Sequence, residues 1–274
     1  MTNMAIKLQL LRVIQHMLAV PFAIGSKGLG RRPTKSLSKL SSPRTSESAS
    51  TAPTTSPHSP RPLRVLVPNP HPGTGTVVVV GQPRGGTSVI AGLCHLIGAT
   101  MGADIDPSNM EDRTFLGILS APDRQLALKQ AVKTLDRLGP FRGFKDPLVI
   151  EYLDDLLLLL ENPILVFVLR DVVAIAERES IEGSEFLLAL ATSDARRRKK
   201  IDLLTTGSLN GIPHCVISYE RALAEPQTAF SQLSDFLAGA TDAGLRSAAR
   251  RLVVPNARMP EDINFVEIAK LQNH

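Results

Sequence analysis

Apolar residues along the chain fall into short continuous runs that are separated by longer stretches of mixed polarity. Two of these runs, residues 76–80 and Ile164–Leu169, are β-branched or apolar almost throughout, and His214–Ser218 has a similar pattern. Runs of this kind are typical of strands that are buried on both faces of a sheet. Their alternation with helical patterns predicts an α/β fold with a mostly parallel central sheet flanked by helices.

The stretches between these runs have the spacing and boundary residues of helices. A short extended segment is expected at Phe141–Lys145, and a loop at residues 102–110. The predicted helices cover residues 87–101, 111–120, 122–138, 149–161, 173 onward, 185–208, 226–237 and 241–252.

The first 75 residues differ in composition from the rest of the chain. Residues 1–24 are basic and weakly apolar, and their apolar stretch Met17–Ile24 contains Pro21 and is too short to span a bilayer. A targeting segment, a helix in weak contact with a membrane surface and a misassigned start all remain open. Residues 25–75 are rich in Ser, Thr, Pro and basic residues, which predicts disorder. The sequence thus divides into a tail, 1–75, and a domain, 76–274.

The net charge of +5 is distributed unevenly between these two parts. Residues 1–76 contain ten of the 31 basic residues and one of the 26 acids, so the remaining 21 basic and 25 acidic residues give a balance of −4. The folded domain is therefore not expected to bind nucleic acid. The two cysteines, Cys94 and Cys215, have no metal-ligand spacing, and no metal site is predicted.

The segment Gly81–Ser88, with the sequence Gly-Gln-Pro-Arg-Gly-Gly-Thr-Ser, connects the first buried strand to the first helix. Free amides and the dipole at a helix N-terminus favour an anion. Gly85 and Gly86 allow the backbone to approach an oxyanion closely, and Thr87 and Ser88 add hydroxyl donors. The forked charge of Arg84 suits phosphate or sulfate. The segment therefore predicts an anion-binding loop.

A nucleoside triphosphate loop, G-x-x-x-x-G-K-[ST], is an alternative interpretation of the same segment. The spacing from Gly81 to Gly86 fits, but Thr87 stands where that loop requires lysine. The strand Ile164–Leu169 is followed by Arg170 rather than by an aspartate suited to magnesium. A P-loop small-molecule kinase is thus the less favoured interpretation, and a structural turn without a ligand is another.

The loop resembles the 5′-phosphosulfate loop of sulfotransferases that use 3′-phosphoadenosine 5′-phosphosulfate (PAPS), for which the pattern is [G/Y]-x-P-[K/R]-[S/T/G]-G-T-[S/T]. Pro83 and Arg84 match this pattern as well as the glycines do. The resemblance implies a P-loop-like three-layer fold, PAPS as co-substrate and no metal. It implies that Arg84 is catalytic and that the donor is bound by Gly81, Pro83, Arg84, Gly85, Gly86, Thr87 and Ser88.

A second similarity to this family follows the strand Ile164–Leu169. In the family such a strand leads into Arg-Asp-Pro, and a residue about eight positions later also binds the 3′-phosphate. Here Arg170 and Asp171 match, and Val172 replaces the proline. A cation at the carboxyl end of a parallel strand lies where open α/β sheets bind ligands. The resemblance implies that Arg170 binds the 3′-phosphate together with either Arg178 or Ser180.

Glu111 is the first candidate for the base that accepts the proton of the acceptor hydroxyl, and Asp112 is the second. Members of the family commonly carry an acid at this point of the chain. Acids are also favoured in the first turn of any helix, which offers a structural explanation.

Two further segments resemble the family. Lys145, Asp146 and Pro147 are similar to an element whose lysine would support the sulfonate or the acceptor, although an Asp-Pro turn explains them equally well. Tyr219 and Glu220 are similar to a segment that either approaches the adenine or caps a helix.

These similarities imply a cytoplasmic enzyme that transfers a sulfonate group from PAPS to a hydroxyl or amine of a small-molecule, carbohydrate, lipid or peptide acceptor. A basic segment that covers the 3′-phosphate in some members has no match here, because residues 253–274 contain only Arg258 and Lys270 as basic residues. A degenerate, non-catalytic member of the family that binds nucleotide is therefore also open.

Overall fold

A computed structural model describes residues 61–179 and 183–238 of the chain. In these ranges the strands are β1 (Leu63–Val67), β2 (Gly75–Val80), β3 (Thr100–Met101), β4 (Ile105–Asp106), β5 (Glu111–Asp112), β6 (Phe141–Lys145), β7 (Pro163–Leu169) and β8 (His214–Ser218). The α-helices there are α1 (Thr87–Ile97), α2 (Arg124–Leu135), α3 (Leu153–Leu157), α4 (Val172–Glu179), α5 (Gly183–Thr205), α6 (Tyr219–Ala224) and α7 (Pro226–Leu237). The predictions for residues 1–60 and 241–252, and Ser180, lie outside the described residues.

Six strands form the central sheet, in the order β1-β8-β7-β2-β6-β3. The strands from β8 to β3 are parallel to their neighbours, and β1 alone pairs antiparallel, with β8. The predicted α/β fold with a mostly parallel sheet is confirmed. β4 and β5 form a separate small antiparallel pair.

The side chains of β2 alternate between two cores, one on each face of the sheet. Val77 and Val79 belong to the core that includes α1 and α7, whereas Val78 and Val80 belong to the core that includes α2 and α3. All four are completely buried, and each such valine contributes about 1.5–3 kcal/mol of hydrophobic stabilisation. A continuous apolar strand with helices on both sides gives the three layers that were expected.

A strand lies before residue 76, within the segment 25–75 for which the sequence predicts disorder, and this corrects the predicted extent of the tail. β1 pairs with β8 from Leu63 to Val67, and Leu63 is 4% exposed. The remaining residues of β1 are exposed or half-buried. A strand at the edge of a sheet needs only a few apolar contacts, so its apolar pattern is weak. Because the residues on either side of β1 are rich in Pro and Arg, the sequence of this region is typical of a disordered segment.

The helix predicted for residues 111–120 is wrong. Residues 111–112 form β5, and only Ile118–Ser120 make a turn of 3-10 helix. The Asp112 carboxylate accepts hydrogen bonds from the amides of Ala103, Asp104 and Thr114. A side chain that binds nearby backbone in this way competes with helix formation.

Two other predicted helices are shorter than expected. α1 ends at Ile97 because Gly98 adopts a left-handed conformation, with φ of 115°, and closes the helix. The Leu-rich segment 149–161 contains a 3-10 turn and the five-residue α3 rather than one long helix. None of the described helices combines the length and apolar character needed to cross a membrane.

Candidate functional site

The loop between β2 and α1 is a tight turn. Arg84 and Gly86 adopt left-handed conformations, with φ of 57° and 81°, and the Gly85 amide donates to the Gln82 carbonyl at 2.9 Å. No side chain caps α1. In the described residues, the first amides of this helix therefore stay available to an anion.

The glycines of this loop are required by close packing. A Cβ atom added at Gly81 would overlap the methyl group of Thr87, and one added at Gly86 would overlap the ring of Tyr219. At Gly85 the added atom would lie 2.7 Å from the Gln82 carbonyl oxygen. The backbone of the loop is thus held against its neighbours, and its shape depends on all three glycines.

A cavity of about 400 Å³ lies in front of this loop. The residues predicted for the site that line it are Pro83, Arg84, Gly86, Thr87, Ser88, Glu111 and Arg178. Gly81, Gly85 and Arg170 do not line it, and Ser180 lies outside the described residues. Elements that are far apart in sequence therefore converge on one cavity of a size that suits a small molecule.

Arg170 connects the end of β7 to the loop. Its Nη1 donates to the backbone carbonyl of Arg84 at 2.7 Å, and its guanidinium carbon lies 4.7 Å from the centre of the Tyr219 ring. Burial lowers the pKa of Arg170 from its ordinary value. Its Nε is buried and has no partner in the described residues. Arg170 therefore connects the loop to the end of β7.

The start of α4 does not need the proline of the Arg-Asp-Pro pattern, in whose place this chain has Val172. The Asp171 carboxylate accepts a hydrogen bond from the Ala174 amide at 2.9 Å, so it caps α4. Val172 occupies the first position of α4. Proline is favoured at that position because its missing N–H is not needed there, and valine fits as well.

Arg178 and Arg170 are the two cations at the carboxyl end of β7. Arg178 lies in the last turn of α4 and lines the cavity. Its positive charge acts on Arg170 and opposes protonation of that side chain. The carboxylates of Glu220 and Asp171 act on Arg170 in the opposite sense and favour its charged form.

Lys145, at the carboxyl end of β6, lines the cavity. The sequence left open whether this segment supplies a lysine to the site or only forms an Asp-Pro turn. Lys145 is 2% exposed, and its Nζ donates to Glu111 Oε1 at 2.8 Å, to the Asn109 carbonyl at 3.1 Å and to Ser88 Oγ at 3.4 Å. Burial lowers the pKa of Lys145, and the hydrogen bond to Glu111 opposes that shift. Its position at the end of a predicted extended segment was the feature of the sequence that could have indicated a place in the site.

The two candidate bases have different environments. The Glu111 side chain is 20% exposed, lines the cavity and pairs with Lys145. Asp112 is 1% exposed, and besides three amides it accepts from the Thr114 hydroxyl at 2.8 Å. Asp112 therefore holds the chain in place, and Glu111 is the carboxylate that faces the cavity.

Asp146, next to Lys145, is part of the scaffold. Its carboxylate accepts hydrogen bonds from the Tyr152 hydroxyl and from the Leu148 amide. Burial raises the pKa of Asp146, and these hydrogen bonds oppose the shift. The Asp-Pro turn therefore directly follows Lys145, so both interpretations of this segment hold.

Tyr219 and Glu220 support the loop from β8. The Tyr219 ring packs against Gly86 and under the guanidinium of Arg170, and it also lines the cavity. Glu220 accepts a hydrogen bond from the Asp171 amide at 2.9 Å. Both residues therefore fix the end of β7 relative to the loop.

Among the described residues, no group of three or more His, Cys, Asp or Glu could hold a metal ion. Asp171, which follows the strand where a kinase would place a magnesium ligand, is engaged at the start of α4.

No family model matches the sequence, and no curated protein matches it. Two solved structures that are similar to this chain are sulfotransferase domains. The sulfotransferase domain from the curacin biosynthetic pathway has a TM-score of 0.42 and 13% identity, over 74% of this chain and 98% of that one. The sulfotransferase domain from the olefin synthase of Synechococcus PCC 7002 has a TM-score of 0.38 and 12% identity, over 75% and 97%. Similarity at this level does not identify an activity, so function must be read from the site.

Proposed function

We propose that this chain transfers a sulfonate group from PAPS to a hydroxyl or amine acceptor. The observation that carries the proposal is one cavity, formed by the Gly81–Ser88 loop, that also receives Glu111, Lys145 and Arg178. Arg170 ties this loop to the end of β7. An anion cradle, a second cationic site and a carboxylate are the parts that such a transfer requires.

The loop would bind the 5′-phosphosulfate end of the donor. The uncapped amides at the start of α1 and the hydroxyls of Thr87 and Ser88 supply donors. Arg84 is exposed and has no ion-pair partner among the described residues, so its charge is free to neutralise the leaving phosphate. The volume of about 400 Å³ suits a donor of this size.

The 3′-phosphate of the donor would bind at the end of β7. Arg178 lines the cavity, and its charge acts on Arg170 at the end of β7. Ser180 remains the other candidate for this contact. A second phosphate site distinguishes PAPS from donors that carry only 5′ groups.

Glu111 is the proposed base. As the acceptor oxygen forms its bond to sulfur, the bond from sulfur to the 5′-phosphate oxygen breaks, and the acceptor proton passes to the Glu111 carboxylate. The products are the sulfated acceptor and 3′,5′-phosphoadenosine. Glu111 Oε1 is held by Lys145, so the other carboxylate oxygen is the one free to take the proton.

Lys145 would act on the same reaction through its charge. Its ammonium reaches both Glu111 and Ser88, which stand on the acceptor side and the donor side of the cavity. A fixed, buried cation between them is suited to stabilise negative charge that develops during transfer. Most of the catalysis would thus come from positioning and electrostatics.

Calorimetry with 3′,5′-phosphoadenosine and with adenosine 5′-monophosphate tests the proposal. We expect the former to bind at least about tenfold more tightly, because it adds a charge-assisted contact to Arg170 and Arg178. Equal affinities would refute the PAPS assignment. Binding of magnesium–ATP without affinity for 3′,5′-phosphoadenosine would select the kinase interpretation, and donor binding without transfer to any acceptor would select a non-catalytic member.

A further inference from the structure

Lys200 is a buried cation on α5 that the proposed reaction does not use. Its side chain is 2% exposed, and its Nζ donates to the Val168 carbonyl at 3.1 Å. Val168 lies in β7, two residues before Arg170. The basic cluster of α5 therefore places one ammonium group beneath the strand that leads to the proposed 3′-phosphate site.

Three other basic residues of this cluster have carboxylate partners. Arg197 and Arg198 pair with Asp194, and Lys199 pairs with Glu151 at 2.9 Å. Lys200 has no carboxylate partner among the described residues, and the charges that act on it, Arg196 and Arg197, are both positive. Its environment is thus unlike that of an ordinary solvated helix face.

A buried ammonium with one neutral acceptor is costly, because desolvation is not balanced by an opposite charge. Ser193, seven residues earlier and therefore on the same face of α5, also has a buried hydroxyl without a partner in the described residues. This face of α5 thus carries a buried ammonium with one neutral partner and a buried hydroxyl without a partner among the described residues.

We infer that Lys200 is a positioning residue for the 3′-phosphate of the donor. Its hydrogen bond to the Val168 carbonyl holds the end of β7, so that Arg170 meets both the Arg84 carbonyl and the ligand. This inference rests on the proposed PAPS-binding function, and Lys200 itself does not touch the donor.

The test compares Lys200→Met and Lys200→Gln with Lys199→Met, the adjacent lysine whose charge is already balanced by Glu151. Calorimetry measures the affinity of each variant for 3′,5′-phosphoadenosine and for adenosine 5′-monophosphate. We expect both Lys200 variants to lose roughly tenfold in affinity for the first ligand, the loss of about one charged hydrogen bond. Affinity for the second ligand should change by less than about twofold, and Lys199→Met should change neither.

The two ligands separate a positioning role from a structural one. If the Lys200 variants lost affinity for both ligands equally, Lys200 would only maintain the fold, and the inference would be overturned. It would also be overturned if both variants kept the full preference for 3′,5′-phosphoadenosine. If the unsubstituted protein showed no such preference, the proposed function would fail first, and the inference with it.

Discussion

Single charges at fixed positions dominate the candidate site, and Arg84 is the first of them. We expect Arg84→Ala to lower sulfonate transfer by roughly 10²–10³-fold, because it removes a charge aimed at the leaving group. Its side chain is exposed, so the thermal unfolding midpoint should change little. Arg64→Ala, another exposed arginine, serves as the control. Undiminished turnover in Arg84→Ala would contradict the assignment.

Glu111 and Asp112 are adjacent acids with different expected roles. Glu111→Gln should lower kcat by roughly 10²–10⁴-fold, because the amide cannot accept the acceptor proton. Asp112→Asn should instead lower the free energy of unfolding, since its carboxylate holds three backbone amides. Steady-state kinetics and urea unfolding of both variants distinguish the roles. A rate loss confined to Asp112→Asn would reverse the assignment.

The titration of Lys200 predicts a pH dependence of stability. Burial lowers the pKa of Lys200 from 10.5 to about 8 in the folded protein. The unfolded chain then binds the proton more tightly, so the free energy of unfolding should rise between pH 8 and pH 10.5, by about 3 kcal/mol in total. Lys200→Met should lack this component of the rise, whereas Lys199→Met should retain it. Identical pH profiles of urea unfolding for all three proteins would refute this.

Several individual residues of the candidate site could be grouped from the sequence. Arg84, Thr87 and Ser88 lie in one segment, so local spacing was sufficient to group them. The sequence ranked Glu111 before Asp112 but could not show which carboxylate the neighbouring loop backbone engages. The role of Lys145 was open for the same reason, since its partners are more than 30 residues away.

Among the structural elements, the loop before α1 has the least tolerance for change. Gly86→Ala should lower stability and abolish binding of 3′,5′-phosphoadenosine, because φ is 81° and the added carbon would overlap Tyr219. Gly73 has a similar φ of 79° but open space around it. Gly73→Ala should therefore cost only the backbone strain, about 1–2 kcal/mol, and should leave binding intact. Equal effects of the two changes, by urea unfolding and calorimetry, would exclude a packing role for Tyr219.

Elements with a regular apolar pattern were predictable, and those fixed by side-chain hydrogen bonds were not. β2 and β7 are buried on both faces, so a continuous apolar run was enough to identify them. The segment 111–120 has an acceptable helical pattern, but Asp112 engages backbone amides that a helix could not offer it. Such a competition depends on the position of residues 103–104 and is invisible in the local sequence.

For the whole molecule, the start of the folded domain is testable by truncation. A chain that begins at Arg61 keeps β1 and serves as the reference for a shorter one. A chain that begins at Thr76 lacks β1 and leaves the edge of β8 unpaired. It should lose at least about 2 kcal/mol, because the buried Leu63 is removed. Equal denaturant midpoints for both truncations would restore the boundary at residue 76.

The sequence by itself determined the class of fold, the glycine-rich loop for which we propose anion binding, and the cation after β7. Each of these is encoded in a contiguous segment, where burial on two faces and backbone freedom leave a local signature. Tertiary structure decided that Glu111 rather than Asp112 faces the cavity, that Lys145 joins it and that Lys200 lies buried beneath β7. Those outcomes depend on partners that are distant in sequence, because hydrogen bonds and burial are set by where the strands and helices meet.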